Sequence, residues 1–388
     1  MVGGISGLSR PSFMADEEFA MFAHSVGRFV AEALPAERMA AFRAQGMVDR
    51  ALWNSAAEAG LLGLSVPVAY GGAGGDLRHE LILAEQLGWA GIEGWDVTLH
   101  NAVIAPYIVA YGSAEQKQRW LPKICSGEMV LAIAMTEPGT GSDLQSIRTR
   151  AVRDGDDYII NGSKTFITNG QHADLVLVVA RTGDGKGAQS LSLIAVETAD
   201  AAGFSRGANL EKIGRECADT SELFFHDVRV PSANVIGAEG GGFAMLMEKL
   251  PQERLVIAIQ ALAGIEYVLA LTIDYTKERK AFGQALIDFQ NTQFVLAECK
   301  TEAVMARAFV ERCVELLLDG KLDSPTASMA KSAVTEMQGR IVDRCLQLFG
   351  GYGYMSEYPI AQAFKDARVT RIYGGTTEIM KLLIARTL

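Results

Sequence analysis

A chain of 388 residues, 49% hydrophobic and 21% charged, has the length and apolar content of two or three packed domains, which excludes a disordered protein. Its net charge of −10 argues against nucleic acid, since phosphate contact needs a basic face. No unbroken apolar run approaches the roughly 20 residues of a membrane span.

Residues 1–13 lack the apolar stretch of a secretory signal and the arginines of a transit peptide, so they read as a loose leader and predict a cytoplasmic location. Five cysteines without a CxxC pair fit reduced thiols, and five scattered histidines without ligand spacing predict no metal. A first helix is signalled by Phe19, Phe22, Val26 and Phe29/Val30 on one face, closed by Pro35. "DRALWNSAAEAGLLGL" repeats the pattern, and "SVPVAYGGAGGD" is a glycine-rich loop. Helices over roughly 79–87 and 97–111 follow, and Ser113 with Gln116 forms a capping box for the next.

Near residue 131 the hydrophobic period changes from helical to alternating. Asn161-Gly162, between two β-rich runs, predicts a hairpin turn. "ADLVLVVART", "LSLIAVETA" and "SELFFHDVRVP" are further strands with no helix between them, so the middle segment reads as an antiparallel β domain. From about residue 236 the helical period returns. Leu296, Cys299, Ala303, Ala306, Val310, Cys313 and Leu317 form a heptad-like seam. The next helix is expected to start with Ser324 as cap and Pro325 at its first position, to bury Ala330, Ala333, Met337, Ile341, Cys345 and Leu348, and to stop at Gly350-Gly351. The fold class is α+β: a helical domain over 1–130, an antiparallel β domain over 131–235, and a C-terminal four-helix bundle of long helices over 236–388.

Several glycine-rich stretches could hold a phosphate. "GGAGGD" and "GAEGGGFAM" lack the context of a dinucleotide fingerprint and read as a turn or a helix start. "AMTEPGTGSDLQSI" places Thr136, Thr140 and Ser142 with two glycines directly after a strand, and so offers hydroxyls and free N–H groups to a polar ring or a phosphate edge. In "YTKERKAFGQ", Lys277, Arg279 and Lys280 either complement a helix dipole or grip a pyrophosphate. "QLFGGYGYMSEYP" is either a helix stop or a close backbone approach to a cofactor.

"VPVAYGGAG", "TEPGTGSD", "FITNG", "KERKAFG", "LFGGYGYM" and "YGGTTEIMKLLIAR" together resemble the acyl-CoA dehydrogenase flavoproteins, in order and spacing, over nearly the whole chain from about residue 15. The resemblance implies noncovalent FAD, a homotetramer, an electron-transfer flavoprotein as acceptor, and a place in fatty-acid β-oxidation or branched-chain catabolism. It puts flavin-ring contacts on Thr136, Ser142, Phe166 (tryptophan in some relatives) and Thr168. Pyrophosphate and adenine contacts fall on Arg279, Phe282, Gln290, Gln347 and Gly351 of a neighbouring subunit, with Thr376 and Glu378 touching the cofactor near the C-terminus. Glu378 is equally explained by the preference of acids for a first helical turn.

Most relatives carry the catalytic glutamate where this chain has Gly374, and glycine cannot take a proton. The long-chain and isovaleryl branches, which this chain resembles most in motif pattern, place it on the helix bearing "ERL", which here supplies Glu253. That helix is apolar along Leu255, Ile259, Leu262, Ile265 and Leu269, so Glu253 is expected to be buried with a raised pKa. For an arbitrary helical glutamate, an ion-paired surface position is the commoner outcome. The implied reaction converts an acyl-CoA to a trans-2-enoyl-CoA. Glu253 takes the α-proton, hydride passes to flavin N5, and the Gly374 N–H binds the thioester oxygen. Ser142, Arg254, Gly374 and Gly375 are the implied substrate contacts. An acyl-CoA oxidase, a flavin monooxygenase of the same fold and a catalytically inactive relative are the alternatives.

Overall fold

The computed structural model describes residues 7, 10–183 and 187–388. The expected leader falls partly outside them. Its described end is folded: Ser12–Met14 makes a single helical turn, with Met14 buried and Phe13 packed on the core.

Six helices form the N-terminal part: α1 (Glu17–Ala33), α2 (Ala36–Gln45), α3 (Arg50–Glu58), α4 (Leu77–Trp89), α5 (Ala105–Tyr111) and α6 (Ala114–Cys125). α1 buries Phe19, Ala23, Val26 and Val30, the expected face. α2, with no counterpart in the sequence reading, starts directly after Pro35. The Ser113–Gln116 capping box is present on α6. The segment expected as one helix over 97–111 contains a π-helical stretch, Leu99–Ile104, that runs into α5. Such bulges shift side-chain register and cluster at functional sites.

The middle part is an eight-stranded sheet built from β1 (Leu131–Ala134), β2 (Arg150–Asp154), β3 (Asp157–Thr168), β4 (Leu175–Arg181), β5 (Leu191–Glu197), β6 (Phe204–Asn209), β7 (Thr220–Pro231) and β8 (Val235–Ile236). The main path runs β6-β7-β3-β2-β4-β5-β8, and its long pairings are antiparallel. β1, however, pairs with β4 in parallel, which corrects the wholly antiparallel reading. Asn161-Gly162 is not a hairpin turn. β3 runs straight through it as a bulge against β7, where Asn161 exchanges two 2.9 Å hydrogen bonds with Asp227. The hairpin turns instead at Gly155-Asp156, closing β2 on β3 with Asp154 opposite Asp157. Both dipeptides carry turn chemistry, and pairing along β7 decides which one turns.

The C-terminal part has three long helices, α7 (Gly242–Glu278), α8 (Gln290–Leu318) and α9 (Ser324–Leu348), followed by α10 (Pro359–Ala367) and α11 (Thr377–Ala385) of nine residues each. The expected fourth long helix is therefore absent from the described residues, and the short α10 takes the fourth place against α7 and α9. A two-stranded hairpin, β9 (Lys280–Ala281) with β10 (Gln284–Ala285), separates α7 from α8. α8 buries the expected seam from Leu296 to Cys313. On α9 the cap is Asp323, whose carboxylate accepts from Thr326 N at 2.7 Å, and not Ser324. Its buried stripe runs Ala327, Ala330, Lys331, Val334, Gln338, Ile341, Val342 and Cys345, while Ala333 is exposed and Met337 half-buried. α7 is the one helix among the described residues long and apolar enough to cross a bilayer, and its apolar faces are taken up by the protein's own core.

The three parts are tied together at Arg215. It is buried at φ +51° and pairs with Glu93 and Asp96, while its own N–H donates to Asp366 of α10 and its guanidinium lies over Tyr373. Removing one partner of a buried ionic cluster costs about 3–5 kcal/mol because the remaining charges stay buried. Arg215→Met is therefore expected to lower the urea midpoint and the melting temperature clearly, whereas Arg229→Met, which breaks only surface pairs to Asp154 and Asp157, leaves both nearly unchanged.

Candidate active site

Glu253 lies on α7, two residues after Pro251, and is only 6% exposed. Proline inside this helix removes one N–H, and the surrounding core absorbs the loss, for α7 continues without a break. Among the described residues one hydrogen bond reaches the carboxyl: the fully buried Tyr107 O–H donates to Glu253 Oε1 at 2.6 Å. Burial raises the Glu253 pKa to about 7, against the opposing Tyr107 hydrogen bond and Arg254 charge.

Tyr107 is placed by the π-helical stretch before it. Gln252 Nε2 donates to Ala102 O at 2.8 Å, and Gln260 Nε2 donates to Thr98 Oγ1 at 2.7 Å. With Tyr107, these bonds fasten α7 to the 98–107 segment at two levels about two helical turns apart, Gln252 and Glu253 at one and Gln260 at the other. Asn101 anchors the same stretch from behind, accepting from Gly63 N at 3.0 Å and donating to Leu61 O at 2.7 Å. The sequence reading missed Tyr107, and only the abrupt run Ala105-Pro106-Tyr107 inside an apolar helix marked the spot.

One helical turn beyond Glu253, on the same face, stands Ile257. It meets the terminal turn. A Cβ added to Gly374 would lie 2.3 Å from Ile257 Cδ1, and Gly374 already has φ +61°. A glutamate there would thus need both a strained backbone and a displaced isoleucine. The Gly374 N–H makes no hydrogen bond within the described residues. Gly375, at φ +95°, has its carbonyl held by Lys331 Nζ at 2.6 Å. Arg254 turns away from Glu253 toward α9, donating to Ser324 Oγ at 2.8 Å and Ser328 Oγ at 3.3 Å. Thr376 caps α11 through Ile379 N at 3.4 Å, and Glu378 is exposed in its first turn.

The loop after β1 is built on a buried ion pair that sequence reasoning did not single out. Lys164 Nζ lies 2.9 Å from Glu137 Oε1 and also donates to Met135 O and Val179 O. Glu137 further accepts from Arg148 N, Thr149 N and Thr149 Oγ1. Burial pushes this carboxyl up, but Lys164 and these donors outweigh burial and hold it below the usual range. The loop so fixed carries Thr136 and Ser142, and Thr165 N–H donates to Thr136 O at 3.0 Å, joining it to the Phe166–Thr168 stretch of β3. Phe166 sits at a bulge with φ +59° and is 67% exposed.

The hydroxyls of Thr136, Ser142 and Thr168 form no hydrogen bonds within the described residues, and a Cβ on Gly139 or Gly141 would meet nothing. Uncommitted hydroxyls, an exposed aromatic ring and glycines that nothing in the chain demands suit a flat polar ring. On another face, Arg279 lies over Tyr352 at 5.2 Å and the tip of the β9–β10 hairpin shows Phe282 at 96% exposure. Gln290, Gln347 and Gly351 are exposed around it. No hydrogen bond or ring contact among the described residues joins this group to Thr136, Ser142, Phe166 and Thr168.

Comparison with known proteins covers nearly the whole chain. It matches the acyl-CoA dehydrogenase N-terminal domain over residues 16–128, the middle domain over 132–228 and the C-terminal domain over 240–388. The mitochondrial long-chain specific acyl-CoA dehydrogenase of Sus scrofa is 46% identical over 371 residues, covering 95% of this chain and 86% of that protein. An acyl-CoA dehydrogenase from Geobacillus kaustophilus superposes with a TM-score of 0.93 at 46% identity, over 96% of this chain and 98% of that one. A glutaryl-CoA dehydrogenase from Mycobacterium smegmatis, solved in complex with FADH2, gives 0.89 at 28% identity, over 97% of this chain and 95% of that one. The chain belongs to the acyl-CoA dehydrogenase family of FAD-dependent oxidoreductases.

Proposed function

We propose that this protein converts an acyl-CoA thioester to its trans-2-enoyl-CoA with Glu253 as the α-proton base. The observation that carries the reading is a buried carboxyl that has no ion pair among the described residues, on the α7 face that meets a glycine turn whose N–H is uncommitted among them. FAD, held by Thr136, Ser142, Phe166 and Thr168 of one subunit and by Arg279, Phe282, Gln290, Gln347 and Gly351 of a neighbour, supplies the acceptor for the β-hydrogen as hydride. Thr376 and Glu378 complete that set.

The chain's own residues handle the other half of the reaction. A thioester α-proton is far too weak an acid for a free carboxylate, so charge building on the thioester oxygen needs a pre-aimed donor. The Gly374 N–H is that donor. Glycine supplies it while leaving room for the carboxyl that arrives from α7. Burial brings the base close to neutrality, where the correct ionisation state and the drive for proton transfer are best balanced. Ser142, Arg254 and Gly375 line the substrate side. Apolar walls around Tyr107 exclude water.

The homotetramer and an electron-transfer flavoprotein as acceptor belong to the same proposal. They are supported by the family and by the exposed Arg279–Phe282 face. Long-chain acyl groups are the first substrates to test, on the 46% identity to the Sus scrofa enzyme.

Glu253→Gln is expected to keep bound FAD and to slow anaerobic flavin bleaching by an acyl-CoA about 100- to 10,000-fold, because the general base is lost. Normal bleaching by that variant would remove Glu253 from the reaction. The base acts ionised, so the single-turnover rate should rise with pH through about 7. Tyr107 lowers the Glu253 pKa, so Tyr107→Phe should move this acid limb to higher pH and slow the reaction at neutrality. The pH profile of the bleaching rate checks both.

A further inference from the structure

α9 carries a buried cation. Lys331 is fully buried, and no ion pair to it exists among the described residues. Its hydrogen bond to Gly375 O, at 2.6 Å, is the one acceptor its Nζ has there. Keeping a desolvated ammonium without a counter-ion is costly. Arg254 stands near enough to add repulsion, so the position is unfavourable for a residue whose only purpose is to fill space.

What Lys331 touches is the most deformable point of the candidate site. Gly374 and Gly375 lie consecutively at φ +61° and +95°, and glycine pairs hold such a turn only when something outside fixes it. α9 secures both flanks. Gln338 accepts from Thr370 Oγ1 at 3.0 Å, and Glu336 accepts from Arg371 at 3.2 Å and from Thr377 Oγ1 at 3.0 Å. Between residues 371 and 377, Lys331 makes the one side-chain hydrogen bond to the turn's backbone among the described residues.

We propose that Lys331 is a positioning residue for the dehydrogenation: its ammonium grips the Gly375 carbonyl and thereby fixes the direction of the Gly374 N–H toward the thioester oxygen. This rests on the donor role given to Gly374 above. The Gly374 N–H lies in the 373–374 peptide and the Gly375 carbonyl in the 375–376 peptide, and the left-handed glycine pair is all that links them. Releasing the Gly375 carbonyl lets the left-handed pair rotate, and a donor misdirected by a few tenths of an ångström loses much of its effect on developing charge. Burial pushes the Lys331 pKa down to about 8, with the Arg254 charge adding to the effect and Glu336 and Glu378 opposing it, so the group still carries its proton at neutral pH.

The test uses the FAD-loaded enzyme and a trans-2-enoyl-CoA labelled isotopically at its thioester carbonyl, a ligand the oxidised enzyme binds without turnover. Infrared difference spectra report how strongly the bound carbonyl is polarised. In the unmodified enzyme its stretch should fall below the value in water. In Lys331→Met it should move back toward that value, kcat should drop about 10- to 100-fold, and KM should change less than about threefold, since removal of one oxyanion donor costs at most about 100- to 1000-fold. Lys331→Gln, which can still donate to the Gly375 carbonyl, should recover most of the frequency shift and of the rate. A purely structural lysine would leave the carbonyl frequency of flavin-retaining variants unchanged, and that result overturns the inference while the Gly374 reading stands. An unshifted carbonyl in the unmodified enzyme would instead overturn the donor role of Gly374, and this inference with it. Should Lys331→Met fail to fold or to hold FAD, Lys331→Gln decides: a retained shift supports the grip on Gly375, and a lost one refutes it.

Discussion

The site depends on how one face of α7 is held against the segment from Thr98 to Tyr107. Gln252, Glu253 and Gln260 reach that segment in turn, and the π-helical stretch between Leu99 and Ile104 supplies the register that lets all three connect. The same face then offers Ile257 to the terminal turn. A carboxyl set by this contact needs no ion pair to orient it. It can therefore stay desolvated, with a pKa near 7 in place of the usual carboxylate value. An arginine salt bridge would orient it as well but would hold the carboxylate weakly basic.

This arrangement explains why glycine, and not another small residue, occupies position 374. The space a side chain would enter is filled by Ile257, and the backbone is left-handed. Ile257 and Gly374 are two sides of one packing solution, in which α7 occupies the volume the turn gives up. Arg215 and Lys331 then secure the turn from opposite directions. Arg215 approaches from the middle part of the chain through the Tyr373 ring, and Lys331 approaches from α9 through the Gly375 carbonyl. Buried charge at both contacts gives direction where an apolar core would give only proximity.

Much of the fold was legible because its signals are periodic. The α8 seam from Leu296 to Cys313 repeats often enough to be read without any tertiary information. On α9, by contrast, Ala333 and Val334 are nearly equivalent by composition, and packing against α7 and α8 chose the second. Asn161-Gly162 and Gly155-Asp156 carry the same turn chemistry, and partner strand β7 decided between them. The same limit applies to the site. Glu253 was accessible through motif register, whereas its partner Tyr107 lies 146 residues away, and no local pattern links the two. Lys331 was hidden for another reason: a lysine in an alanine-rich helix usually faces water, and its burial becomes visible only once the terminal turn folds over α9.

The central claim is that the carboxyl donated by α7 takes the substrate's α-proton. Exchange of the acyl-CoA α-hydrogen with solvent deuterium, followed anaerobically across pH in the flavin-loaded enzyme, addresses that step apart from electron transfer to any partner. Exchange is expected to rise through about pH 7 in the unmodified protein and to fall about 100- to 10,000-fold in flavin-retaining Glu253→Gln. Exchange at an undiminished rate in that variant would show that another group is the base.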